Sequence, residues 1–348
     1  MSSTTSPEGE LLVGGQALIE GVMMRSPGAY GVAVRRPDGS LAFQRGKVAG
    51  LARRYPFLKL PILRGVAVLF QSLGIGIRAL NFSAEQAMAE APKGDAPVPA
   101  STAGEPAKDK SNWAVAGSMA VGLGVGAVVF LLLPLWLTQL AERHLFGGQL
   151  SNLAFNLVDG ALRAAFFLVY IFAISRMKDI HRVFQYHGAE HKVVFNYEQR
   201  LPLTVENSRA QSRLHPRCGT SFMLFVLLVS ILVFAFIPKT APFLVKFGGR
   251  LLLVPAIAGL SYEVLRFTAR HRAAPLFALL VAPGLALQRI TTQEPTDDML
   301  EVAIAALEEA LREDGLLEDT STPRVAADPV AVAAVSDPAE LPEAAARA

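Results

Sequence analysis

The sequence predicts a mainly α, multi-pass helical membrane protein: about four transmembrane helices, further interfacial or re-entrant helices, and a small N-terminal β-hairpin-containing region on the cytoplasmic side. Three observations predict it. Hydrophobic residues form 52% of the 348 positions against 18% charged, and the mean hydropathy is +0.36, a balance foreign to ordinary soluble domains. The apolar residues gather into blocks long enough to cross a hydrocarbon core of roughly 30 Å. Lysine and arginine collect in alternate connections between those blocks, the asymmetry that orients helices in a bilayer. A formal net charge of +3 and one cysteine exclude an internal disulfide framework, and nothing in the charge pattern marks a nucleic-acid surface.

Residues 1–12 are polar and expected to be disordered, without the basic and apolar stretches of a cleaved signal peptide. The region 13–88 opens with glycines at 14, 15, 21 and 28, which suggest tight turns or close backbone approach. Gln16, Glu20 and Arg25 stand among apolar neighbours there, as on a half-exposed strand or helix. Alternating residues around Pro37, Asp38 and Gly39 predict a β-hairpin of about 30–36 with 40–46. Arg45, Lys47, Arg53, Arg54 and Lys59 then form a basic stretch that suits lipid headgroups or a solvated face. In 60–82, Arg64, Gln71 and Arg78 recur every seven residues, so one side of a helix is polar. An interfacial amphipathic helix is favoured over a span that would hide two arginines. Residues 89–112 read as a flexible linker.

The membrane domain is expected over 113–290, with spans at 113–140, 158–175, 219–237 and 251–267. Gly122 and Gly126 in the first suit a close helix contact, and Pro134 a kink. Asp159 and Arg163 in the second are four apart and suited to pair. Glu263 in the fourth has Arg266 as its nearest partner in sequence. The stretch 273–287, interrupted by Pro283 and Gly284, is short for a span and reads as re-entrant or interfacial. Residues 176–217 carry eight lysines and arginines, which places that loop and both termini in the cytoplasm. Leu300, Ile304, Leu307 and Leu311 make an apolar stripe opened by Asp297 and Asp298, an amphipathic helix over 291–314. The remainder, 315–348, reads as a disordered tail.

The chemistry concentrates in the His-rich loop 176–218. His187 and His191 are four apart with Glu190 beside them, and His215 and Cys218 follow as a second ligand-type pair. Two histidines one helical turn apart can grip one divalent metal ion, zinc by ligand type, with Glu190 as general base toward a bound water. With His187, His191, His215 and Cys218 all bound the tetrahedron closes and the metal is structural; with three, a position stays open for catalysis. Sequence leaves both open, along with the plain alternative that these are interfacial polar residues. His144, His181 and His271 lack such neighbours and read as surface or packing residues.

The strings GGQALIEGVMMRSPG (14–28), YHGAEHK (186–192), LTVEN (203–207), RLHPRCGTSF (213–222) and PGLALQRITTQEP (283–295) resemble the YqhQ-like family of bacterial inner-membrane proteins, a domain of unknown function with members predicted to be metal-dependent enzymes. The resemblance runs from residue 13 to about 312. It implies a multi-pass protein of the bacterial cytoplasmic membrane and carries over no catalytic assignments. The functional expectation is therefore an integral membrane protein with a cytoplasm-facing metal site, a metal-dependent hydrolase acting on a membrane-associated lipid or peptide. The alternative is a non-enzymatic membrane scaffold or transport component holding a structural metal or none.

Overall fold

The computed structural model of the chain describes residues 13–48, 55–88, 111–216, 218–270 and 275–317. The expectations for residues 1–12, for the linker over 89–110, for the tail from 318 and for Arg53, Arg54, Arg217 and His271 lie outside them.

Four short strands, β1 (Gly14–Leu18), β2 (Gly21–Arg25), β3 (Ala29–Arg35) and β4 (Leu41–Lys47), form one antiparallel meander in sequence order. The hairpin foreseen around Asp38 is β3–β4, paired from Arg35↔Leu41 to Ala29↔Lys47. Beta pairing also extends back through β2 to β1, whose glycines hide the apolar alternation that would have revealed it. Ile19 and Glu20 form the two-residue turn between β1 and β2, with Glu20 in the left-handed region at φ 53.

Both faces of the sheet are covered, because its alternate side chains are apolar on both sides. Met23, Val32 and Val34 meet Ile75 and Ala79 of α1 (Leu63–Ala87). Val22, Met24 and Ala33 meet α5 (Lys178–Glu198) and α10 (Asp297–Glu313). The stripe on α10 is buried throughout, Leu300, Leu307 and Leu311 almost completely. Helix α1 serves two neighbours. Its C-terminal half lies on the sheet, where Ser83 Oγ donates to the Ile19 carbonyl at 2.6 Å, while Arg64 near its start is paired with Glu263 of α8 (Phe243–Arg270).

The remaining helices form the apolar part of the protein. They are α2 (Ser111–Ala127), a π-helical segment at Val128–Leu132, α3 (Leu133–His144), α4 (Asn152–Ile174), α7 (Gly219–Phe234), α8 and α9 (Pro275–Thr291), with the short α6 (Val205–Arg209) beside α5. Four stretches are long and apolar enough to cross a membrane: Leu63–Ala87, Ala120–His144, Asn152–Ile174 and Phe243–Phe267. Helix α7, expected to run to 237, ends at Phe234 and is short by that measure.

Several expectations change in the details. Where a kink is foreseen at Pro134, a π-helical segment ends two residues before the proline, whose missing N–H removes a rung of the ladder. Gly122 and Gly126 meet nothing within 4 Å, so they make no close helix contact among the described residues. Asp159 and Arg163 do pair, at 2.6 Å. Glu263, however, pairs with Arg64 rather than Arg266: a guanidinium reaching across from α1 engages both carboxylate oxygens. Helix α8 begins eight residues earlier than expected, so Lys246 and Arg250 are buried inside the helical part rather than lying on a connection. The 176–218 stretch is not a loop but chiefly the helix α5.

Candidate metal centre

Helix α5 forms because 178–198 holds no proline, opens with Asp179 in its first turn, and turns Tyr186, Ala189, Val193 and Val194 inward. One helical turn then separates His187 from His191, and their ring centroids stand 4.4 Å apart. Both rings are oriented through their far nitrogens. His187 Nδ1 lies 2.8 Å from the carbonyl of Thr291 at the end of α9, and His191 Nδ1 lies 2.5 Å from the carbonyl of Arg213. A neutral imidazole that donates Nδ1–H to a carbonyl keeps its lone pair on Nε2. Both Nε2 atoms face the thiol of Cys218, which precedes α7: His187 Nε2 is 3.1 Å from Sγ, and the three potential ligand atoms all lie within 4.8 Å of one another.

Glu190 stands beside this group, its Oε2 3.5 Å from His191 Nε2 and 4.0 Å from His187 Nε2. Burial raises its carboxyl above the ordinary range, against the pull of His187, His215 and a hydrogen bond from the Gly15 N–H. Burial lowers His191 below the ordinary histidine range, opposed chiefly by Cys218. Both shifts favour neutral groups in the absence of a compensating charge.

Two glycines make the arrangement possible. A Cβ on Gly15 would fall 2.7 Å from Glu190 Cγ and 2.6 Å from the Met23 carbonyl, so β1 must be bare where Glu190 passes. A Cβ on Gly188 would collide with the carbonyl of Gln293, whose own N–H donates to the Phe184 carbonyl at 2.8 Å. The 291–295 segment can therefore lie flat on α5 and deliver the Thr291 carbonyl to His187. Further ties hold the other side. Gln288 and His215 exchange side-chain and backbone hydrogen bonds, both at 2.8 Å, and Arg213 donates to the Thr292 carbonyl. Thr204 caps α6 through the Asn207 N–H, and Lys192 Nζ reaches the Arg209 carbonyl at 2.9 Å.

Of the residues that sequence marks as ligands, His187, His191 and Cys218 come together and His215 stands just outside. The His215 ring centroid is 5.8 Å from that of His191, it meets Phe195 edge to face at 4.5 Å, and its Nε2 is 3.3 Å from Glu198 Oε1. Glu20 does not reach the centre; it pairs with Arg182, and Tyr186 Oη lies 3.3 Å from its Oε2. His144 and His181 are exposed, as their isolation in sequence suggests. Sequence reading missed the orienting carbonyls of Thr291 and Arg213, and also Gly15 and Gly188. Main-chain acceptors leave no mark in side-chain identity, whereas the glycines were visible without an assignable purpose.

Residues 60–313 match the family described as "Protein of unknown function (DUF1385)". The chain is also similar to the "Uncharacterized protein YqhQ" of Bacillus subtilis (strain 168), 40% identical over 320 residues that cover 89% of this chain and 95% of the relative. No solved structure matches. The chain belongs to this family of unknown function.

Proposed function

We propose that this family member is an integral protein of the bacterial inner membrane, with both termini cytoplasmic, whose cytoplasmic end carries a catalytic divalent metal centre. In this reading His187, His191 and Cys218 hold the metal, zinc by ligand type, and Glu190 is the general base of a hydrolase. The substrate is membrane-associated, a lipid or a peptide, because the site lies where the apolar helices meet the sheet.

One observation carries the reading. Two imidazoles, His191 buried and His187 half-buried, each with Nδ1 at a main-chain carbonyl, aim at one thiol. A merely structural histidine pair has no need of two such orienting carbonyls, whereas metal-ligating histidines regularly have one each. His215 turned toward Glu198 favours three protein ligands over four, hence an open position. Bound there, a zinc ion would acidify a water molecule and polarise the bond to be hydrolysed. Glu190, buried and within 3.5 Å of His191 Nε2, would take that water's proton and return it to the leaving group.

Elemental analysis of the detergent-purified protein tests this. Wild type and Glu190→Gln are expected to carry about one zinc per chain, and the double variant His187→Ala/His191→Ala and Cys218→Ser to lose it. Zinc at background level in wild-type protein purified without chelator refutes the proposal. Zinc that survives only while His215 is intact would indicate a closed, structural site instead.

A further inference from the structure

Between α1, the π-helical segment, α4, α7 and α8 lies a cavity of about 410 Å³. Its walls are apolar and aromatic, among them Phe130, Tyr170, Val226 and Ile257. It follows α7 from residue 222 to residue 234, about 18 Å at the rise of an α-helix. Phe130, from the π-helical segment, meets Tyr170 edge to face at 5.4 Å in the wall. Such π segments occur often at functional sites. The polar lining is Arg163 and Ser230.

Arg163 is 4% exposed, and its electrostatics are unbalanced. It donates to Asp159 at 2.6 Å and to Ser230 at 3.1 Å, and its buried Nε–H has no acceptor. Arg250, wholly buried, takes the other oxygen of the same Asp159 at 2.7 Å, and its Nε is likewise without a partner. Both guanidinium groups lie over the Phe234 ring, at 4.7 and 5.2 Å. Among the described residues, Asp159 is the one carboxylate paired with either arginine. Two buried cations thus share one anion, in surroundings where an uncompensated charge is costly. The missing component is a negative charge, and the apolar cavity beside Arg163 specifies the rest of the molecule that brings it.

We propose that this cavity binds an apolar chain carrying an anionic group, the chemistry shared by a fatty acid and an anionic phospholipid, with Arg163 as the partner of the anion. The site is separate from the metal centre, and the proposal does not rest on that reading.

The test uses the full chain in phosphatidylcholine nanodiscs with a diazirine-bearing palmitate, irradiated and mapped by peptide mass spectrometry. Labelling is expected within 163–170 and 222–234, displaced by palmitate at concentrations about tenfold below those of hexadecanol, which lacks the charge. Displacement by phosphatidic acid at lower concentrations than by palmitate identifies the phospholipid as the source; the converse identifies the free acid. Val226→Trp fills the cavity without touching the charges and should abolish labelling of both segments. Arg163→Gln should bring palmitate to the level of hexadecanol. If that variant does not fold, the palmitate-to-hexadecanol ratio on wild type and the Val226→Trp result decide. Equal competition by the alcohol, labelling indifferent to Val226→Trp, or no labelling of these segments overturns the proposal.

Discussion

Replacing Gly188 by alanine probes the centre without removing any group that could bind a metal. The added methyl would overlap the Gln293 carbonyl and stand 3.4 Å from Pro295 Cδ. The obstacle is main chain, itself tied by the Gln293 N–H to the Phe184 carbonyl at 2.8 Å, so it cannot swing aside as a side chain would. Overpacking of this kind costs about 1–3 kcal/mol. The least costly relief moves the 291–295 segment off α5, which draws the Thr291 carbonyl away from His187 Nδ1. Losing an orienting partner of a metal-bound histidine lowers metal affinity by roughly 10- to 100-fold. Gly188→Ala is therefore expected to melt several degrees below wild type in detergent and, under the proposed zinc binding, to release the ion at a chelator concentration wild type resists. Gly74→Ala is the control, since a Cβ there meets nothing within 4 Å and alanine favours a helix. A Gly188→Ala protein matching wild type in both melting and zinc retention would refute the packing of 291–295 on α5 and the orienting role of Thr291.

Two further outcomes follow from the packing. Arg64→Met and Glu263→Leu are each expected to destabilise the protein, since each leaves a half-exposed charge without its partner. The double variant should recover most of the loss, with a coupling of roughly 1–2 kcal/mol because both side chains retain some exposure; additive losses in a double-mutant cycle would contradict the pair. Leu307→Ala removes a fully buried side chain from the layer between α10 and the sheet, and should cost about 2–5 kcal/mol. Glu301→Ala, which breaks only its surface contact with Arg35 at 3.2 Å, should cost under about 1 kcal/mol. Equal melting temperatures for these two variants would mean that α10 is not docked as described.

What the sequence revealed and what it hid follow one physical division. Features set by local periodicity were legible: the β3–β4 hairpin from its turn residues, the stripe on α10, the i,i+4 pairs His187/His191 and Asp159/Arg163. Features set by contacts distant in the chain were not. Glu263 had a neighbour in Arg266, but its partner lies 199 residues away. His215 and Cys218 looked equivalent as ligands until the Gln288 clamp and Glu198 drew one aside. The centre itself depends on such contacts, because Thr291 and Arg213 offer only carbonyls and Gly15 and Gly188 contribute the absence of a side chain. His187 and Glu190 thus depend on a segment about 100 residues downstream and a strand about 175 residues upstream. Neither the sheet nor the apolar helices alone could build the site. The α9 end supplies the acceptor for His187, β1 gives Glu190 its bare surface, and α7 begins directly after Cys218. A chain cut between its apolar helices and its sheet should therefore retain the ligand residues and lose the centre.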